Sequence, residues 1–437
     1  MTICRMRALL AMSLAAAGCA MAADDDAELD ALLDVGPAET APARPGKLGG
    51  YVEFGGAYTL PDPGHWSRLR ARSELTASGS GPGLRWKLTG RAEADGAYDL
   101  EDAHYSGAVR RDQRADFTVR EAYLDFSSGD WEFRLGRQHV VWGEMVGFFF
   151  ADVVSARDMR EFLLPEFESM RIAQWAARAE YFMGDTHFEL LWVPVASYDR
   201  IGKPGSDFYP YQLPAGTHVT EKKPGQSLDN GNWGLRMSRL VGGWDLSAFY
   251  YASQDVSPTL YRSSVAPTYE LRHDRIRQLG GTFSKDFGEF VLKGEAVHTR
   301  GRHFNTADPL APEGVKGSAT LDYVVGVDVP FADVWRFNAQ YFSRIYYGHE
   351  AAMGVDRDER GVTFQAVRDI GSRFTVEFLA ASSLNRSDYM LRPKLIWKIA
   401  PEWRGVVGYD HFEGRRGGIF GRFDDSDRLY LEVRRWF

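Results

Sequence analysis

Period-two alternation recurs along this chain from Leu48 to its end, and it limits what the chain can fold into more than any other feature. The stretch WEFRLGRQ shows it cleanly. Trp131, Phe133 and Leu135 fall on one face; Glu132, Arg134, Gly136 and Gln138 fall on the other. Successive side chains of a strand point to opposite faces, so this stretch is a strand with one apolar and one polar side. A soluble protein covers such apolar faces with helices or a second sheet, yet helix-period segments are almost missing here. The alternation therefore predicts a closed barrel with lipid outside and a wet lumen inside.

Counting the alternating segments predicts an all-β fold: a single transmembrane antiparallel barrel of about 18 strands, within 16–18. The connections supply a separate test. Turns near 78–83, 127–130, 183–186, 241–243, 285–289, 330–333, 368–373 and 400–402 are short. Those over 96–113, 143–171, 195–231, 253–274, 299–320, 344–360 and 413–427 are long. Short periplasmic turns alternating with long extracellular loops are what an outer-membrane barrel produces. The connections 60–65 and 382–388 are short on the loop side. Pro194 and Pro393 imply a strand end or bulge where they stand. Trp131, Trp233, Trp244, Trp335 and Trp403 are each read as beginning a strand just after a short turn, which predicts a periplasmic-side aromatic girdle.

The N-terminus reads as a secretory signal over 1–22. Arg5 and Arg7 precede an apolar run, and Ala20-Met21-Ala22 forms the cleavage site. Cys19 after Ala17-Gly18 leaves a lipoprotein reading open. Residues 23–46 form an acidic, then Pro-rich periplasmic leader, either disordered or a short docking helix. The barrel is expected over 47–437. The two cysteines, Cys4 and Cys19, both fall in the signal, so no disulfide or cysteine-based metal site is expected after cleavage. A net charge of −8 excludes bulk nucleic-acid binding.

Two constellations carry candidate chemistry. Arg68, Arg70 and Arg72 alternate on one strand; Arg85, Lys87 and Arg91 alternate on the next. Paired as a hairpin, they put six cations on one patch of inner wall. There they either concentrate anions or form a salt-bridge lattice with Glu74, Glu93, Asp95, Glu121 and Glu132. The second is the connection after the WEFRLGRQ strand. Phe148, Phe149 and Phe150 are too apolar for a free loop, and Asp152, Arg157, Asp158, Arg160 and Glu161 follow. This segment is expected to fold inward as a plug or constriction, pairing with wall residues such as Arg134 or Arg178. The alternative is a surface loop clamped on its neighbours.

No enzyme signature is present: there is no nucleophile elbow, zinc-protease helix or phosphate loop. His139, His187, His298 and His411 look scattered and without catalytic neighbours. The acidic runs at 356–359 and 424–427 do not match EF-hand spacing. The expectation is no enzyme, no cofactor and no metal site.

At REAYLDF (120–126), LGRQHVVWGE (135–144), DVVSARDMREF (152–162) and IFGRFDDSDRLYLEVRRWF (419–437), the chain resembles a family of uncharacterised Gram-negative outer-membrane β-barrels. That family carries a domain of unknown function, and its genes often lie beside inner-membrane RND-superfamily exporters. The motif residues here are Leu135, Gly136, Arg137, Gln138, Trp142, Gly143 and Glu144. Ser155-Ala156 stands where the family usually has Asn-Pro. The resemblance implies an outer-membrane channel or transport component for small anionic or hydrophobic solutes. It also implies as partners the membrane lipid, the barrel-assembly machinery reading the strand that ends at Phe437, and an RND-type exporter or periplasmic protein. The opposing readings are a structural or receptor-like barrel plugged by its own loops and, more remotely, a barrel hydrolase.

Overall fold

The computed structural model describes residues 44–437 except 144, 146–149, 215 and 264–267. The signal expected over 1–22, most of the leader, Phe148, Phe149 and Glu144 lie outside the described residues. Eighteen strands form one antiparallel sheet. In chain order they are β1 (Arg44–Thr59), β2 (His65–Gly81), β3 (Leu84–Asp95), β4 (Ala115–Ser128), β5 (Trp131–Gln138) and β6 (Gln174–Met183). Next come β7 (Thr186–Val195), β8 (Asn232–Val241), β9 (Trp244–Gln254), β10 (Arg275–Asp286), β11 (Val291–Arg300) and β12 (Thr320–Phe331). The last are β13 (Trp335–Tyr346), β14 (Asp358–Ile370), β15 (Phe374–Ser383), β16 (Asp388–Ala400), β17 (Trp403–Gly414) and β18 (Arg428–Trp436). The first strand starts slightly before the expected boundary at 47. It pairs with β2 on one side and β18 on the other, Tyr51 opposite Trp436 and Thr59 opposite Arg428, so the sheet closes on itself.

The burial pattern is inverted relative to a soluble protein. Leu88, Leu190, Leu279 and Leu431 point outward and are 49%, 51%, 61% and 54% exposed. Glu53, Arg68, Glu189 and Asp410 point inward and are nearly or fully buried. Charged residues are rarely buried unless paired, and leucines rarely form a continuous exposed belt, so the outer surface is the one that meets lipid. No helix among the described residues is long and apolar enough to cross a membrane. The strands do the crossing.

Trp131, Trp244, Trp335 and Trp403 sit at the short-turn end as the girdle requires. Trp131 packs on Tyr181 at 4.8 Å and Trp335 stacks on Phe337 at 5.3 Å. Trp233 is a correction. It opens β8 after the long 196–231 connection, stacks on Trp192 at 5.5 Å, and belongs to the opposite rim. The sequence reading put it just after a short turn, whereas the connection before it is a long one and strand starts alternate between the two rims. Pro194 accompanies a register shift between β6 and β7, as expected for a bulge. Pro393 interrupts the β16–β17 ladder between Leu391 and Lys394 without shifting it.

The parity of turns and loops gives a direct test. Gly205 lies in a long connection and Gly242 in a two-residue turn. Both are exposed, and an added Cβ meets nothing within 4 Å at either. Single cysteines at the two positions should react differently with an impermeant maleimide on whole cells, with only Gly205→Cys labelled. Equal labelling would overturn the topology.

Candidate constriction in the lumen

The connection 139–173 does not stay outside the barrel. Its first half crosses to the inner wall of β6–β13. Val140, Trp142, Ala151, Val153 and Val154 pack on Leu191, Val193, Phe249, Tyr251 and Val297. Met145 and Phe150 continue the contact onto Val324 and Phe342. The wall there is apolar on its inward face, so the loop removes two apolar surfaces from water at roughly 25 cal/mol per Å². Polar contacts set its height. Trp142 Nε1 donates to Glu189 at 3.0 Å, and the Ala151 amide donates to Glu295 at 2.7 Å.

The described part of the motif, LGRQ-x-x-x-WG, makes this exit possible. Gly136 holds φ +127°, and a Cβ there would lie 2.2 Å from the Ala122 carbonyl oxygen. Buried Gln138 ends β5 by donating to the Arg134 and Ala176 carbonyls at 3.2 and 3.1 Å. Gly143 lets the Asp152 amide approach to 2.6 Å of where a Cβ would stand. Ser155 Oγ donates to the Val140 carbonyl at 3.0 Å and pins the return.

The second half runs back across the cationic side of the wall. Ala156–Arg157 pairs with Arg171–Ile172, and Phe167–Met170 forms one helical turn. Asp152 takes Arg171 at 2.9 Å, and Arg157 donates to the Asp152 carbonyl. Asp158 takes Arg160 at 2.6 Å. Desolvation pushes the half-buried Asp158 carboxyl up, and Arg160 with Arg200 outweighs it and holds the carboxyl below its usual range. Glu161 is the latch. It accepts from Arg70 at 2.7 Å, Arg428 at 3.0 Å and Arg68 at 3.2 Å. Burial pushes the Glu161 carboxyl up, and the three guanidiniums outweigh it and hold it well below the usual carboxylate range. The expected partners Arg134 and Arg178 are a correction. Arg134 pairs with Asp125 at 2.6 Å and Arg178 with Glu180 at 2.8 Å, neighbours on their own part of the wall.

The basic ladder is therefore engaged rather than bare. Arg68 also meets Glu432, Arg72 meets Glu53 and Glu93, Arg91 meets Glu74 at 2.7 Å, and Lys87 meets Glu121 at 2.8 Å. Arg85 is exposed near the short-turn end and has no carboxylate in range among the described residues. Asp95 caps backbone amides of Leu69 and Ala97, and Glu132 joins no ion pair among the described residues. The lattice is larger than the ladder. A bulge in β4 aims Arg120 at the Arg171 and Ser169 carbonyls, at 2.7 and 3.1 Å. Its only carboxylate neighbour among the described residues is Glu74 at 3.6 Å, already taken by Arg91. Arg392 and Arg428 share Asp410; Arg404 and Arg434 share Glu166. Nine guanidiniums thus share seven carboxylates, which leaves the lattice cationic.

A cavity of about 220 Å³ lies between this lattice and the second half of the loop, with eight arginines and five carboxylates in its lining. Another of about 280 Å³ lies against the first half and β9–β13, where Arg157, Arg302 and Arg344 face Asp152, Asp255 and Asp322. One side of the partition is arginine-rich; the other is balanced.

Two of the four histidines named from the sequence, His187 and His411, have carboxylate neighbours that sequence reading missed. His411 Nδ1 lies 2.6 Å from Asp427. His187 lies between Glu180 at 3.1 Å and Ser238 at 3.3 Å, the order of a catalytic triad. Ser238 sits in mid-sheet, where the amides around it serve the ladders to β7 and β9. Those amides are taken by the ladders and so do not serve as oxyanion donors beside Ser238.

Residues 66–368 match the family described as a protein of unknown function, DUF1302. The chain belongs to the DUF1302 family. No curated protein matches it by sequence. Among solved structures this DUF1302 protein is similar to Pseudomonas aeruginosa OccK2 (OpdF), determined in complex with glucuronate, with 10% identity and a TM-score of 0.51 over 90% of this chain and 98% of that one. Pseudomonas aeruginosa OccK8 (OprE) gives the same identity, coverage and TM-score. At this identity the likeness is one of fold: the DUF1302 chain shares a porin-type barrel with both.

Proposed function

We propose that this chain is an outer-membrane channel of a Gram-negative bacterium that passes small anionic solutes through the constriction made by its 139–173 loop. The observation that carries the reading is the excess of arginine over carboxylate around the cavity beside that loop. Each unit charge within a few ångströms of a permeating ion contributes about 4 kcal/mol at an effective dielectric near 20, before screening. Pairing trims this field without removing it, since the lattice holds more guanidiniums than carboxylates. Carboxylate-bearing solutes suit it best, because guanidinium forks bind carboxylates in two-point geometry.

The purified protein in planar bilayers should show reversal potentials that favour anions in a dilute salt gradient. The preference should shrink at molar salt, where the Debye length falls to about 3 Å. Arg120→Glu should abolish or invert it. A channel without anion preference at low salt would sink the anion reading and leave the route to hydrophobic solutes. Glucuronate is a suitable first organic anion to try. Work with an RND-type exporter rests on the family resemblance. Co-purification of the chain with such an exporter from crosslinked envelopes tests it, and a clean single-component barrel would remove the partner from the proposal.

A further inference from the structure

At the loop-end rim, the start of β2 and two long connections converge on one point. His65 opens β2, His104 lies in the 96–114 connection, and Asp207 lies in the 196–231 connection. His65 Nε2 stands 3.1 Å from Asp207 Oδ1, and His104 Nε2 stands 3.8 Å from the same oxygen. The two imidazoles stack at 3.8 Å between centroids. All three ligand atoms lie within 4.8 Å of one another.

We propose that His65, His104 and Asp207 bind a divalent transition cation of the zinc type, with a fourth position open to water. Ligands at about 2.0–2.1 Å from a tetrahedral ion are separated by about 3.3 Å. The two nitrogen-to-oxygen distances bracket that value, and the exposed His104 ring must turn out of its stack on His65 for both imidazole lone pairs to converge on the ion. Two imidazoles and one carboxylate are a donor set that suits zinc and its neighbours and does not suit magnesium or calcium.

The surroundings are those of a prepared site. His65 Nδ1 lies 2.9 Å from the Pro63 carbonyl. A proton on Nδ1 makes that hydrogen bond and leaves Nε2 free to ligate, the outer contact typical of metal-binding histidine. Tyr105 donates its hydroxyl to Asp207 Oδ2 at 2.7 Å, which turns Oδ1 toward the imidazoles. Tyr98, Tyr105 and Val109 pack together and hold the segment that carries His104. Asp207 is fixed from behind: its carbonyl accepts from Ser426 at 3.1 Å, and Phe208 sits in the apolar cluster of Phe412, Phe420 and Phe423. Phe162 of the constriction loop packs on that cluster. A cation here would tie the start of β2 to two connections at the mouth and steady the contact above the constriction. His104 is the most exposed of the three and offers the way in.

The test uses the full chain purified in detergent and stripped with chelator. Zinc titrated by calorimetry should fill one saturable site per chain, and excess calcium should not displace it. His104→Gln and Asp207→Asn should weaken that binding at least tenfold. His104 is partly exposed and its replacement keeps the barrel, which heat-modifiable gel migration verifies. Cobalt in place of zinc should give the intense visible absorption of a tetrahedral site, and zinc should raise the thermal midpoint of wild type only. An isotherm shared by wild type and both variants overturns the proposal, as does a cobalt spectrum of the weak octahedral kind. Either result would leave the cluster as a hydrogen-bonded clasp between loops.

Discussion

Replacing Glu161 with glutamine should unlatch the constriction and raise single-channel conductance. Glu161 is nearly buried and faces Arg68, Arg70 and Arg428 together. Removing one member of a buried ion cluster leaves the others uncompensated and costs about 3–5 kcal/mol. The barrel ladders do not depend on this residue, so the loss falls on docking of the loop rather than on the sheet. A shift of that size changes the docked-to-undocked ratio by roughly two to four powers of ten. Bilayer recordings should then show larger and noisier openings, while the folded barrel still resists heat on gels. Wild-type conductance in a folded Glu161→Gln channel would mean that other contacts suffice to hold the loop.

Acid should reproduce this only at low pH. The folded-state value of Glu161 lies well below its unfolded value. A carboxylate depressed in this way contributes its full stability above the unfolded value and loses it as pH falls through the folded one. Conductance of the wild type should therefore stay flat from neutral pH to about 5 and rise only in stronger acid. A midpoint near neutrality would assign the gating to a different group.

Much of the wall was readable because its rules are local. The alternation in Trp131–Gln138 and the length of each connection depend on neighbours in sequence, and the strand number and turn order followed from them. Trp233 went to the wrong rim because a strand start says nothing of which end of the barrel it occupies. The aromatic run after β5 prompted the expectation of an inward fold, but only Phe150 of that run is described, and the expected partners Arg134 and Arg178 pair elsewhere. Glu161 meets Arg428 across 267 positions of sequence, and barrel closure makes that contact. The polar face of the last strand, Arg428, Glu432 and Arg434, was visible as alternation but read as an assembly signal. His65 and Asp207 are 142 positions apart and share no pattern, since one opens a strand and the other lies in the connection of a separate hairpin. Sites made by loops from separate hairpins leave no periodic trace.

The largest change in conductance should come from excising 144–170 and joining Gly143 to Arg171 through a four-residue Gly-Ser linker. Asp152 touches both ends of the cut: its amide lies beside Gly143, and its carboxylate lies 2.9 Å from Arg171. Four residues reach about 13 Å, enough to span the gap without pulling on β5 or β6. Eighteen strands about 4.8 Å apart and tilted by about 40° enclose a wall roughly 35 Å across. Without the partition, ions would pass far from the arginines in much of that section. At physiological salt the Debye length is about 8 Å, so most of the open lumen would lie beyond their reach. Conductance should therefore rise several-fold while anion preference falls, although every arginine of β2, β3 and β18 is still present. The two changes must occur together. A folded excision variant that keeps wild-type conductance would place the current outside the path the loop crosses. A variant that gains conductance yet keeps full selectivity would locate the selective charges at the rims instead of beside the loop.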